Sequence, residues 1–378
     1  MTTILTTPIS TTFPVPLPAP ESPKAVDLVS QKLRGQTLRL PNLFGFYSQW
    51  PNEISPHYEQ LKATIESKID EWIDPCDELV RLKARKVNLP LFSAIWYPRS
   101  TLDRLETMSW YSMWLFLWDD VVEDTAIPSD SCTTELSRIT YLHSHALEYV
   151  KFHLGLSDNE TEPEPPTKYC TLFKHAGENL RRDCTERERQ KFYETIKEYM
   201  TCVEVESRWV AEKELPRVDE YWAHRLGTSS VYTYCALGEY MSGGHLPESF
   251  FDTEEMGSMW YELNRHIVTM NDIVSLKKEL GKSLHSLVPI IINETNADLD
   301  SAVASLLDIL QVSGDNINKG AEKLLAMAGD DEELRERVEA YVVPFWTNMT
   351  GSYWWSLICD RYGVTKYLKR DGTLVVPL

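Results

Sequence analysis

"WLFLWDDVVEDT", Trp114 to Thr125, sets a run of large apolar residues directly before Asp119, Asp120, Glu123 and Asp124. The segment from Met108 to Trp118 is apolar on all sides, the pattern of a helix buried inside a large bundle. Asp119 and Glu123 stand four residues apart and share one helical face. The stretch therefore predicts a core helix that aims carboxylates into an interior cavity. Carboxylates are almost never left fully buried without partners, so something must neutralise them.

Working outward, helical periods dominate the chain. "HYEQLKATIESKIDEWI" (His57 to Ile73) and "ERERQKFYETIKEYMTCVEVESRWVAEKE" (Glu186 to Glu214) each predict one helix, and "DSAVASLLDILQVSGDNINKGAEKLLAMAG" (Asp300 to Gly329) predicts a helix pair. Alternating strands are scarce and no repeat stands out. The expectation is an all-α fold: a Thr- and Pro-rich tail over residues 1–25, then one helical domain over 26–378 around a central apolar cavity. A polar surface loop falls at about 156–168.

With 38 Lys and Arg against 57 Asp and Glu, the chain carries a net charge of −19. That argues against a nucleic-acid partner, which calls for a basic patch. An anionic small molecule remains compatible if metal ions or local arginines reverse the sign inside one pocket. Seven scattered cysteines without a CxxC pair read as reduced thiols of an intracellular protein. The first residues lack the basic and apolar regions of a signal peptide, and no apolar run reaches the roughly 18 residues of a membrane span. The expected setting is cytoplasmic. The N-x-[ST] sequons at Asn159, Asn293 and Asn348 read as chance.

A second stretch complements the first. "NDIVSLKKEL" places Asn271, Ser275 and Glu279 at i, i+4 and i+8, which share one stripe of a helix. An amide oxygen, a hydroxyl and a carboxylate suit a hard divalent cation, Mg²⁺ or Mn²⁺, and match zinc or copper poorly. Magnesium usually sits on a few carboxylates plus a substrate phosphate, so a phosphorylated substrate is implied. The equally acidic "GDDEELRER" (Gly329 to Arg337) is different. Its acids fall in the first turn of a predicted helix, where they favour the helix dipole and need no metal.

With both stretches in view, the sequence resembles the microbial (fungal-type) class I terpene synthases. "DDVVE" (Asp119 to Glu123) is similar to their aspartate-rich DDxx(D/E) motif, and "NDIVSLKKE" (Asn271 to Glu279) to their NDxxSxxKE pattern. "DRYG" supplies Arg361 and Tyr362, similar to the family's RY pair. "YWAHRLGTSS" supplies Arg225, matching the diphosphate-sensing arginine, with Thr228 as linker and Ser229 as effector. "SPHYEQLKA" and "FSAIWYP" also resemble the family's first helices. The resemblance covers roughly residues 38 to 368. The acidic motif ends in Glu123 where the family often has Asp, and Ser229 stands where Gly is common.

The resemblance implies a Mg²⁺-dependent carbon–oxygen lyase that ionises a prenyl diphosphate and cyclises the cation, with three metal ions and Mn²⁺ as a substitute. Asp119, Glu123, Asn271, Ser275 and Glu279 are the implied metal ligands. Arg225, Ser229, Lys278, Arg361 and Tyr362 are the implied diphosphate contacts. Phe92, Trp96, Trp118 and Trp354 are candidate cavity walls. Farnesyl diphosphate, giving a sesquiterpene or its alcohol, is the expected substrate, and geranylgeranyl diphosphate the alternative. A non-catalytic prenyl-binding helical protein is the reading from another class. A chain-elongating synthase would need a second aspartate-rich motif, and a protonation-initiated cyclase a DxDD acid. Monomer and homodimer both stay open.

Overall fold

The computed structural model describes residues 24–123, 135–280 and 284–378. Residues 1–23 of the expected tail, Asp124 and Cys132 lie outside the described residues. Among the described residues the architecture is helical apart from one short antiparallel ribbon, in which Thr37–Leu40 pairs with Leu374–Pro377. Among the described residues, no helix is long and apolar enough to cross a membrane.

The Leu102–Glu123 helix forms as its sequence demands. Trp114 and Trp118 are fully buried, together with Tyr111 and Met108. Burial of one such side chain contributes about 1.5–3 kcal/mol. The helix packs against Leu89–Trp96 and Phe173–Asp183, and three further long helices, Glu186–Glu212, Glu254–Glu279 and Glu332–Ile358, are each 26 or 27 residues long. Glu186–Glu212 starts at a capping box: the Thr185 hydroxyl accepts from the Glu188 backbone, and the Glu188 carboxylate accepts from the Thr185 backbone. Both early helical readings stand, as Tyr58–Trp72 and Glu186–Glu212. The acidic stretch after Gly329 starts a helix too. Asp331 is its N-cap, accepting from Leu334 N at 2.9 Å.

One expectation fails. Asp300 to Gly329 is not a helix pair but the single helix Leu299–Met327. Ser313 and Gly314 are packing residues in its middle. A Cβ on Gly314 would meet the Trp50 ring at 2.6 Å. The indole N–H groups of Trp50 and Trp346 both donate to Asn318 Oδ1 one turn further on, at 2.8 and 2.9 Å. The glycine admits a tryptophan and does not end the helix.

The polar segment 156–168 has no regular structure before the short turn Lys168–Leu172, and Glu162 anchors it. That carboxylate accepts from Tyr149 Oη at 3.1 Å and from Lys174 Nζ at 2.8 Å. Of the sequons, Asn348 is buried inside a helix, where no glycan would fit. The described cysteines are all free.

Candidate active site

A cavity of about 610 Å³ opens among the long helices. Asp119, in the last turns of Leu102–Glu123, borders it together with Leu115 and Phe116, which stand one turn earlier on the same face. The Tyr199 hydroxyl donates to Asp119 Oδ1 at 3.5 Å. The helix continues to Glu123, but the side chains of residues 120–123 lie outside the described residues, so the place of the Glu123 carboxylate is not assigned.

Asn271, Ser275 and Glu279 border the same cavity from Glu254–Glu279, with Ile267, Val268 and Lys278 beside them. Asn271 is held from both sides. Its Nδ2 donates to Tyr362 Oη at 2.6 Å, and its Oδ1 accepts from Arg225 Nη2 at 3.2 Å. Arg225 Nη1 also donates to Thr228 Oγ1 at 3.3 Å. The same guanidinium lies 3.6 Å from Asp272 Oδ1. Asp272 Oδ2 accepts from Tyr221 Oη at 2.8 Å and from Leu287 N at 2.9 Å. Burial pushes the Asp272 carboxyl up to about 6 against the pull of Arg225. Burial also opposes the charge on Arg225, but Tyr221, Asp272, Glu206 and Asp119 more than offset it and raise its pKa.

Arg361 and Tyr362 follow Glu332–Ile358 and reach the cavity. The Arg361 guanidinium lies 4.7 Å from the centre of the Phe116 ring. Burial pushes the Tyr362 phenol up to about 12, so it stays a neutral hydroxyl at neutral pH. Lys278 lies 3.6 Å from Glu279. Ser229 sits where Val218–Thr228 ends and Val231–Ala236 begins, a corner made by Ser230 in the left-handed region at φ 57°. The Ser229 hydroxyl donates to Asn264 Oδ1 at 2.7 Å, and its carbonyl accepts from Ser230 Oγ at 2.6 Å.

Aromatic rings form another part of the cavity wall. Phe92, Trp96, Phe116, Tyr234 and Trp355 border the cavity, with ring centres 4.2 Å apart for Phe92–Trp96 and 5.3 Å for Phe92–Trp355. Two expected wall residues are not part of it. Trp118 is one residue from the Asp119 face and so turned about 100° away; it stacks on Trp114 at 6.2 Å. Trp354 likewise packs against Tyr353 and Phe44, and its neighbour Trp355 takes the wall position. Glu206, Tyr234, Ser352 and Ser356 escaped the sequence reading.

The donor set fits a hard cation. Asp119, Asn271, Ser275 and Glu279 offer oxygen only, as magnesium requires. Around the cavity the acids Asp119, Glu206, Asp272 and Glu279 outnumber Lys278, Arg225 and Arg361, so an anionic guest needs extra positive charge. A different trio, Glu188, Glu239 and His245, brings ligand atoms within 4.8 Å of one another. Its carboxylates are already satisfied by Thr185, Leu246 N and Arg187, so it reads as structural.

An all-helical bundle with this cavity is the fold of the class I terpene synthases, and comparison with known proteins agrees. The model of terpene synthase family 2, C-terminal metal binding, matches residues 111–313. The chain belongs to this family and is a fungal-type class I terpene synthase. It is 29% identical to sesquiterpene cyclase hepA of Aspergillus oryzae over 92% of this chain and 94% of that one. Terpene cyclase braA of Annulohypoxylon truncatum is 24% identical over 87% and 86%. Among solved structures, α-eudesmol synthase superposes with a TM-score of 0.69 at 20% identity, covering 82% of this chain and 97% of its own. Germacradien-4-ol synthase from Streptomyces citricolor gives 0.66 at 16%, covering 85% and 98%.

Proposed function

We propose that this terpene cyclase is a Mg²⁺-dependent sesquiterpene synthase, which ionises farnesyl diphosphate and cyclises the resulting cation with release of diphosphate. The observation that carries the reading is that Asp119 and the Asn271–Ser275–Glu279 stripe border one cavity together with Arg225, Lys278, Arg361 and Tyr362. Asp119 with Glu123, and Asn271 with Ser275 and Glu279, would hold the magnesium, which when bound supplies positive charge to the leaving diphosphate. Arg225, Lys278 and Arg361 add fixed cations to the same head group, and Tyr362 a hydrogen bond. Ser229 contributes through the corner it forms, since its hydroxyl is committed to Asn264. The apolar wall keeps bulk water from the cation. Faces of Phe92, Trp96, Phe116 and Trp355 each stabilise it by about 2 kcal/mol when desolvated.

A cavity of about 610 Å³ falls within the range of small-molecule sites and supports a prenyl guest. The sesquiterpene cyclase named among the relatives supports the fifteen-carbon chain over geranylgeranyl diphosphate. The test is incubation of purified protein with Mg²⁺ and geranyl, farnesyl or geranylgeranyl diphosphate in turn, following diphosphate release and identifying volatiles by mass spectrometry. Farnesyl diphosphate should be consumed fastest and yield cyclic products. Binding without diphosphate release from any of the three would favour the non-catalytic reading.

A further inference from the structure

The helix Glu332–Ile358 presents two serines, Ser352 and Ser356, to the cavity on either side of Trp355 in the chain. Both are buried, at 5% and 2% exposure. Other hydroxyls of this helix are engaged: Thr347 Oγ1 donates to the Trp96 carbonyl at 2.7 Å, and Thr350 Oγ1 to the Pro51 carbonyl at 2.8 Å. Ser352 and Ser356 make no such bond among the described residues, although back-bonding to the preceding turn is the usual resort of a helical serine. Two hydroxyls in a wall of Trp96, Phe92, Trp355 and Phe116 thus open onto the cavity, where they can meet a guest or a water molecule.

We infer that Ser352 and Ser356 hold one water molecule at the aromatic wall, and that this water quenches the final carbocation, making the product a terpene alcohol. Positions i and i+4 of a helix lie about 5–6 Å apart at Cβ, a span that one water bridges with two hydrogen bonds of about 2.8 Å. A bound water needs at least two polar partners, and the pair supplies them. Donating both hydrogens to the serine oxygens leaves the water's lone pairs directed into the cavity. Gly351 fixes the neighbourhood: a Cβ there would meet Trp96 Cδ1 at 2.9 Å, so the helix packs close against the indole beside Ser352. The chemistry balances without a redox step. The water oxygen forms the new C–O bond to the cationic carbon, and the oxonium loses one proton to the released diphosphate.

This inference rests on the function proposed above, and the experiment separates the two. Protein, Mg²⁺ and farnesyl diphosphate are incubated in oxygen-18 water, with diphosphate release and products followed together. The wild type should give an alcohol carrying the heavy isotope. Ser352→Ala and Ser356→Ala should each still release diphosphate while the alcohol-to-hydrocarbon ratio drops about fivefold or more, the expected result of removing one of two water partners. Ser352→Thr, which keeps the hydroxyl, should retain the alcohol. Diphosphate release with only hydrocarbon products in the wild type would overturn the water site and leave the synthase reading standing. An unchanged alcohol share in the double alanine variant would do the same. No diphosphate release in the wild type would overturn both.

Discussion

Arg225 and Asn271, far apart in sequence, meet through a 3.2 Å hydrogen bond at the head of the cavity, with Asp272 3.6 Å from the same guanidinium. One planar cation thereby ties the corner at Thr228 to the helix that carries the oxygen-donor stripe. Lysine offers a point charge and no fork. Arg225→Lys is expected to lower kcat about 10- to 100-fold with the fold intact, because it cannot serve Asn271, Asp272 and Thr228 together. Steady-state diphosphate release, with circular dichroism as the fold check, decides this.

The metal assignment predicts loss without unfolding. Asp119→Ala and Asn271→Ala should each reduce diphosphate release by about 10²-fold or more, the scale of removing one group that stabilises developing charge. Mg²⁺ with inorganic diphosphate should raise the unfolding temperature of the wild type, by about 2.7 kcal/mol of stability at 100 times Kd. Either alanine variant should lose most of that rise, and full stabilisation in both would refute the assignment.

His266 sets a pH dependence of stability. It is buried, its Nε2 lies 2.8 Å from Tyr47 Oη, and its Nδ1 lies 3.0 Å from Ser313 Oγ. The Ser313 hydroxyl already donates to the Leu310 carbonyl, so it accepts from Nδ1, and Tyr47 donates to Nε2. A second proton would set two donors face to face. Burial accordingly lowers the imidazole from 6.5 to about 3. The stability tied to the neutral ring is fully present above pH 6.5 and is lost as pH falls towards 3, where only the unfolded chain takes the proton. The slope is up to about 1.4 kcal/mol per pH unit. Urea midpoints measured across this window should fall less steeply for His266→Gln than for the wild type.

Gly314→Ala should destabilise the fold by about 1–3 kcal/mol, the cost of overpacking a filled core. Alanine favours helices, so a broken helix pair would gain stability from the change, whereas the continuous helix loses it to the clash with Trp50. Thermal unfolding of the single variant separates the two.

Much of the cavity was legible because helical spacing transmits position. From Asp119, the residues three and four earlier are Phe116 and Leu115; from Asn271 they are Val268 and Ile267, and all four border the cavity. The same rule shows why Trp118 and Trp354 failed as wall residues. Each stands one residue from a lining position, and a step of about 100° moves a side chain off a face however aromatic it is. The helix pair expected over Asp300 to Gly329 failed because sequence does not tell a glycine that admits a neighbour's ring, as Gly314 does, from one that ends a helix. Glu206 and Tyr234 were invisible for another reason: only the packing of separate helices brings them to the cavity.

The ribbon joining Thr37–Leu40 to Leu374–Pro377 changes what kind of segment carries Arg361 and Tyr362. Without it they would ride on a segment held at one end only, and the diphosphate contact proposed for them would require freezing that segment each time. With it, Cys359 to Thr373 is a loop tethered at both ends, to the helix Glu332–Ile358 and to the strand Thr37–Leu40. The ordering entropy is met during folding and not at each encounter with substrate. Fraying the ribbon, well away from any chemistry, should therefore show first as a weaker hold on the guest.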